Sequence, residues 1–110
     1  IKVVIPKLED LIRFSKEKKL RIFAAEVDAS ISAVIDGGST MKQLESPSIN
    51  ITTFSFQGGT IVKYSTNSFS ITYSYPFHVV FNTCEIPEGV VTLVVKKKEH
   101  VITIEVISHD

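Results

Sequence analysis

Residues 20–28 read LRIFAAEVD, and residues 29–36 continue as ASISAVID. What these two stretches form decides the architecture of the first third of the chain. LRIFAAEVD is a short, largely apolar run. Such a run suits a strand buried on much of both faces. ASISAVID then reads as a second strand, with a tight turn near Asp28.

Upstream, Leu8, Leu11, Ile12 and Ser15 recur at helical spacing, while Lys7, Glu9, Asp10, Arg13 and Lys16 to Lys19 take the other faces. The acids come early and the lysines late, which suits a helix dipole. The spacing predicts a helix over 7–19 with Leu11 and Ile12 toward the core. Lys2 to Ile5 reads as a first strand, and Pro6 suits the first helical position. The N-terminal third is therefore expected to be strand–helix–strand, right-handed if its strands are parallel neighbours.

Downstream, Gly37-Gly38 breaks the pattern. Thr40 with Gln43 three residues later fits a capping box, which predicts a short helix over 41–45 ended by Ser46-Pro47. From Ser48 the period changes to two. INITTFSF, TIVKYS, SFSITYSY, FHVVFN, VVTLVV and VITIEVI are strand candidates, punctuated by Gly58-Gly59, Ser65 to Ser68, Pro76 and Pro87 to Gly89. The short gaps favour antiparallel hairpins. Phe69, Ile71, Tyr73 and Tyr75 share one face of their strand, and serines with Thr72 share the other. The expected fold is α+β over 1–110 as one domain: N-terminal strand–helix–strand, then a mainly antiparallel β meander or sandwich.

The chain has 110 residues, 44% hydrophobic and 22% charged, the balance of a globular domain. Twelve Lys plus Arg match twelve Asp plus Glu. Nucleic-acid binders usually carry a basic excess, so that partner is disfavoured. Cys84 is the only cysteine, which rules out an intramolecular disulfide and leans toward a cytoplasmic protein. No apolar run reaches the ~18–20 residues that span a bilayer, so no membrane association is expected. Two Gln, three Asn, one Met and one Cys lean toward a thermophile composition. The chain starts at Ile1, as a processed product or an excised domain would.

Lys96 to His100 (KKKEH) lies between two strongly apolar runs, where a hairpin tip needs solvated side chains. Lysines there also oppose edge-to-edge aggregation. Other chemistry is sparse. His78, His100 and His109 make no metal spacing, there is no G-x-S-x-G, and neither two-glycine turn is followed by Lys-Ser or Lys-Thr. No catalytic residue, metal or cofactor is expected. A small enzyme or ligand binder would draw on Glu26 with Asp28, which share a face if residues 20–28 are a strand, or on Cys84 with His78. A nucleic-acid binder would draw on Lys96, Lys97 and Lys98 with the aromatic strands that hold Phe54, Phe56, Tyr64, Phe69, Tyr73 and Tyr75.

LEDLIRFSKEKK, LRIFAAEVD and IDGGSTMKQLE together resemble the last part of the DsrE-type sulfur-relay family. Members that transfer sulfur carry a cysteine near the end of the strand, where Ala24, Ala25 and Glu26 stand here, so the resemblance implies lost sulfur relay. IPEGV followed by KKKEHVITIEV is similar to an alpha-crystallin or CS-type sandwich, with His100 in place of the usual Gly. Neither resemblance is taken as membership. The expected function is a non-enzymatic binding or assembly module with a protein partner or a homodimer. Its association would run through strand edges, with contacts at Lys96, Lys97, Lys98, Tyr73 and Tyr75.

Overall fold

The computed structural model describes residues 8–109, with side chains from residue 15 onward. The expected strand at 2–5 and the core positions given to Leu11 and Ile12 lie outside this description.

The first element is one helix, α1 (Leu8–Ala33), which takes in residues 20–28 and the second stretch as far as Ala33, with 34–36 forming a turn. Leu20, Phe23, Ala24, Val27, Ile31 and Val34 are all buried. Their spacing of three and four residues is the stripe of an amphipathic helix. Ile22, half exposed, and Ala25 fall off that stripe and make the run look continuously apolar. Neither Gly nor Pro interrupts it. The chain leaves the helix through Gly37 at φ 114° and Gly38 at φ 96°, a left-handed exit open to glycine. The strand–helix–strand expectation is corrected on this point, and the α+β class holds.

The short helix expected at 41–45 is strand instead. β1 (Gly38–Ser46) pairs antiparallel with β7 (Gly89–Lys98) over its whole length, from Gly38↔Lys97 to Ser46↔Gly89. A nine-residue ladder outweighs one capping box on a single turn of helix. The remaining strands are β2 (Ile49–Phe56), β3 (Gly59–Ser65), β4 (Ser70–Tyr75), β5 (His78–Phe81), β6 (Glu85–Ile86) and β8 (Val101–Ser108). Five of the six period-two segments thus fall on β2, β3, β4, β7 and β8, and FHVVFN falls on β5.

Two four-stranded sheets result, in the orders β1-β7-β8-β5 and β4-β3-β2-β6. Every pairing is antiparallel except β5 with β8. The buried side chains of α1, of Ile49, Ile51, Val62 and Tyr64, and of Val91, Leu93, Val95, Ile102 and Ile104 form one cluster. The helix joins the layers. Phe23 meets Tyr64 of β3 edge-on, while Lys19 and Glu26 pair with Glu45 and Lys42 of β1.

Lys96 to Lys98 are strand residues of β7, in register with Thr103, Ile102 and Val101. The turn itself is Glu99-His100, with Glu99 at φ 59°. The hairpin is where the sequence places it, with a tighter tip.

Candidate interaction edges

Each residue singled out in the sequence has a definite place. Glu26 and Asp28 lie on a helix, so a spacing of two turns them to different sides. Glu26 pairs with Lys42, and Asp28 accepts a hydrogen bond from the Tyr75 hydroxyl at 2.9 Å. The shared-face carboxylate pair is therefore corrected. Cys84 is exposed and lines a groove of about 280 Å³ with Thr53, Val79 and Phe81. His78 lines a different cleft of about 290 Å³, with His100, Lys97, Phe77 and Ile35. Cys84 and His78 thus share no cleft. Among the described residues, no group of three or more His, Cys, Asp or Glu is placed to hold a metal ion.

Lys96 and Lys98 are exposed, on the opposite side of β7 from Lys97. Lys97 is half-buried, and its ammonium donates to the Ile35 carbonyl just past the helix end. A helix leaves its last carbonyls unsatisfied and its C-terminus partly negative. The last turn of α1 holds no basic residue, so the cation comes from β7 instead.

Tyr73 and Tyr75 point to the core side of β4. Tyr75 is buried and stacks between Tyr73, at 6.3 Å between ring centroids, and Phe77, at 5.4 Å. Burial, and then the hydrogen bond to Asp28, raises the Tyr75 pKa well above the usual tyrosine range. Tyr64 is raised as well, first by burial and then by Tyr73 and Asp28. Tyr64 and Tyr75 are committed to packing, while Tyr73 packs against the core and stays only partly buried.

Among the described residues, the two sheets end in the edge strands β1, β5, β4 and β6, and two-residue β6 covers β2 only at its Ile49 end, leaving the outer side of β2 beyond Ile51 open as well. Most carry a device that discourages pairing. β1 holds Lys42 and Glu45, both tied to the helix. β5 is four residues long, begins with His78 and follows Pro76-Phe77. β6 has two residues, one of them Glu85. β4, SITYSY, has six residues with no charge, no proline and no histidine. The Ile51 N–H bonds the Cys84 carbonyl on the β6 side of β2. Residues alternate in the direction of their backbone groups along an antiparallel ladder. Carried through the β2–β3 and β3–β4 registers, that alternation turns Ile71, Tyr73 and Tyr75 toward β3. The N–H and C=O groups of Ser70, Thr72 and Ser74 then face away from the sheet.

No helix among the described residues is long and apolar enough to cross a membrane. Compared with known proteins, the chain matches no family model, no curated protein and no solved structure. Neither resemblance drawn from the sequence gains support, and the strand that carried the first of them is helix.

Proposed function

We propose that the chain is a non-catalytic assembly module that self-associates through a sheet edge. The observation that carries this reading is the edge of β4, unpaired among the described residues: six uncharged residues, of which Ser70, Thr72 and Ser74 turn their backbone donors and acceptors outward. An edge of that kind is a template for strand addition. A formal net charge of zero removes the general repulsion between copies. The enzyme and ligand reading draws no comparable support, since its candidate pairs do not meet. The nucleic-acid reading needs lysines continuous with exposed rings. Lys96 and Lys98 belong to β7, whereas Tyr73 and Tyr75 face the core of the other sheet.

Light scattering across a hundredfold concentration range tests the proposal. A mass that rises from monomer toward a multiple of it is expected. A constant monomer mass over the whole range overturns self-association.

A further inference from the structure

Resting on that edge-association reading, we propose that β4 is a homodimerisation strand. It pairs antiparallel with the β4 of a second copy about a two-fold axis that passes through Thr72.

The register follows from which groups are free. Hydrogen-bonded pairs of an antiparallel ladder join residues that both turn their backbone groups toward the seam. On β4 these are Ser70, Thr72 and Ser74, so only registers that oppose these residues to one another are allowed. The register centred on Thr72 uses all three. Ser70 opposes the second copy's Ser74, Thr72 opposes itself, and Ser74 opposes Ser70, with about six backbone hydrogen bonds across the seam. Sliding by two residues in either direction gives up one of these pairs.

The side chains agree with this register. Residues 69–75 read FSITYSY, which is a palindrome by residue class about Thr72. On the outer face, serine meets serine and Thr72 meets Thr72, pairs that suit adjacent strands. On the core face, Ile71 meets Tyr73 and Phe69 meets Tyr75. Phe69, Ile71 and Tyr73 pack against the core but remain only partly buried. A second strand laid along this edge covers that remaining apolar surface. No charge meets a like charge anywhere in the seam. The two-fold closes on itself, so the product is a dimer and not a fibre.

The seam is tested at Thr72, which is exposed and whose N–H is not needed by the ladder with β3. In a Cys84→Ser background, Thr72→Cys brings two sulfur-bearing residues together with Cα atoms about 5.5 Å apart. That lies within the roughly 4.4–6.8 Å span of a disulfide. Mild oxidation is expected to link this variant into a covalent dimer. Lys63→Cys, one strand inward on the same face, is expected to stay unlinked. Thr72→Lys puts two ammonium groups face to face and is expected to raise the dimer dissociation constant about tenfold or more. Its far-UV circular dichroism is expected to match the parent. If the parent associates but Thr72→Lys associates as tightly and Thr72→Cys links no faster than Lys63→Cys, the β4 seam is overturned while edge association by another strand stands. If the parent is monomeric over the hundredfold range, both readings fall together. Should Thr72→Lys misfold, the cross-linking comparison decides alone.

Discussion

The Tyr75 hydroxyl donates a hydrogen bond to the Asp28 carboxylate, joining β4 to α1 across 47 residues of chain. Around it, Tyr64 meets Phe23, Tyr73 and Phe81 edge-on, at centroid distances of 6.3, 6.0 and 6.2 Å. The helix, β3, β4 and β5 are thus connected through one aromatic group, with a single polar tie at its rim. The edge proposed to pair with a second copy is held in place by this arrangement.

The polar tie is separable from the packing. Tyr75→Phe keeps the ring and its stacks but removes the donor to Asp28. A hydrogen bond to a charged acceptor that water can still reach contributes about 1–2 kcal/mol. Urea unfolding is expected to show a loss of that size with an unchanged m-value, since the surface exposed on unfolding is the same.

The tyrosines also set an alkaline limit. Burial, chiefly, raises the pKa of both Tyr64 and Tyr75 in the folded protein. Below the unfolded value of about 10, folded and unfolded chains both hold the proton, and this contribution to stability is fully present. As pH rises past about 10, the unfolded chain releases the proton first, so it binds fewer protons than the native state and stability falls. The slope is about 1.4 kcal/mol per pH unit for each tyrosine. Tyr64→Phe is expected to remove its own share, roughly half of the slope the two tyrosines contribute together, in denaturation measured between neutral and alkaline pH. Its hydroxyl has no hydrogen-bond partner among the described residues, so the variant is expected to be no less stable than the parent at neutral pH.

Helix stripe and exposed face give opposite responses. Phe23 is fully buried and Ile22, its neighbour, is 51% exposed. Phe23→Ala is expected to cost about 3–5 kcal/mol, as large-to-small core changes do. Ile22→Ala is expected to stay within about 0.5 kcal/mol. Comparable losses at both positions, read from chemical denaturation, would return residues 20–28 to a strand buried on two faces.

That stretch also shows where the sequence is ambiguous. Leu20, Phe23, Ala24, Val27, Ile31 and Val34 carry a helical period, yet Ile22 and Ala25 fill the gaps with apolar side chains that face out. Windows of nine residues cannot separate the two patterns. One window spanning the charged segment and the apolar one does. β1 is hidden for the opposite reason. GSTMKQLES is polar because it is an edge strand with little buried surface, and only its partner β7 makes it a strand. Alternation in β4 was legible because one face is dry and the other wet. The proposed seam is half legible: the uncharged strand is in the sequence, but its place at an edge comes from the order of the sheet.

The three lysines of β7 are not equivalent. Lys96 and Lys98 face solvent, and replacing both by Ser is expected to shift stability by less than about 0.5 kcal/mol. Lys97 donates to the Ile35 carbonyl beyond the C-terminal end of α1. Lys97→Ser leaves that carbonyl to water and removes a cation from the negative end of the helix, at a cost of about 0.5–1 kcal/mol. High salt is expected to shrink the difference between Lys97→Ser and the parent in thermal melts, because the dipole part is screened.

Gly59 opens β3 with no room for a side chain. A Cβ there would meet the Phe56 ring and would lie 2.5 Å from the Tyr75 carbonyl oxygen. The ring belongs to a side chain that is 47% exposed and can swing away, but the carbonyl is part of β4, which pairs Tyr75 with Thr60 next door. Gly59→Ala therefore forces backbone movement at the β3–β4 ladder, and overpacking of this kind costs about 1–3 kcal/mol. Two variants separate the contributions. If the ring were the obstacle, Phe56→Ala combined with Gly59→Ala would restore the stability of Phe56→Ala alone. Because the Tyr75 carbonyl remains in the way, the double variant is expected to keep most of the loss. Movement at Tyr75 also disturbs the end of the proposed seam, where Phe69 opposes Tyr75. Gly59→Ala is therefore expected to weaken association as well as folding, whereas Phe56→Ala, on the outer face, is expected to leave association unchanged in light scattering.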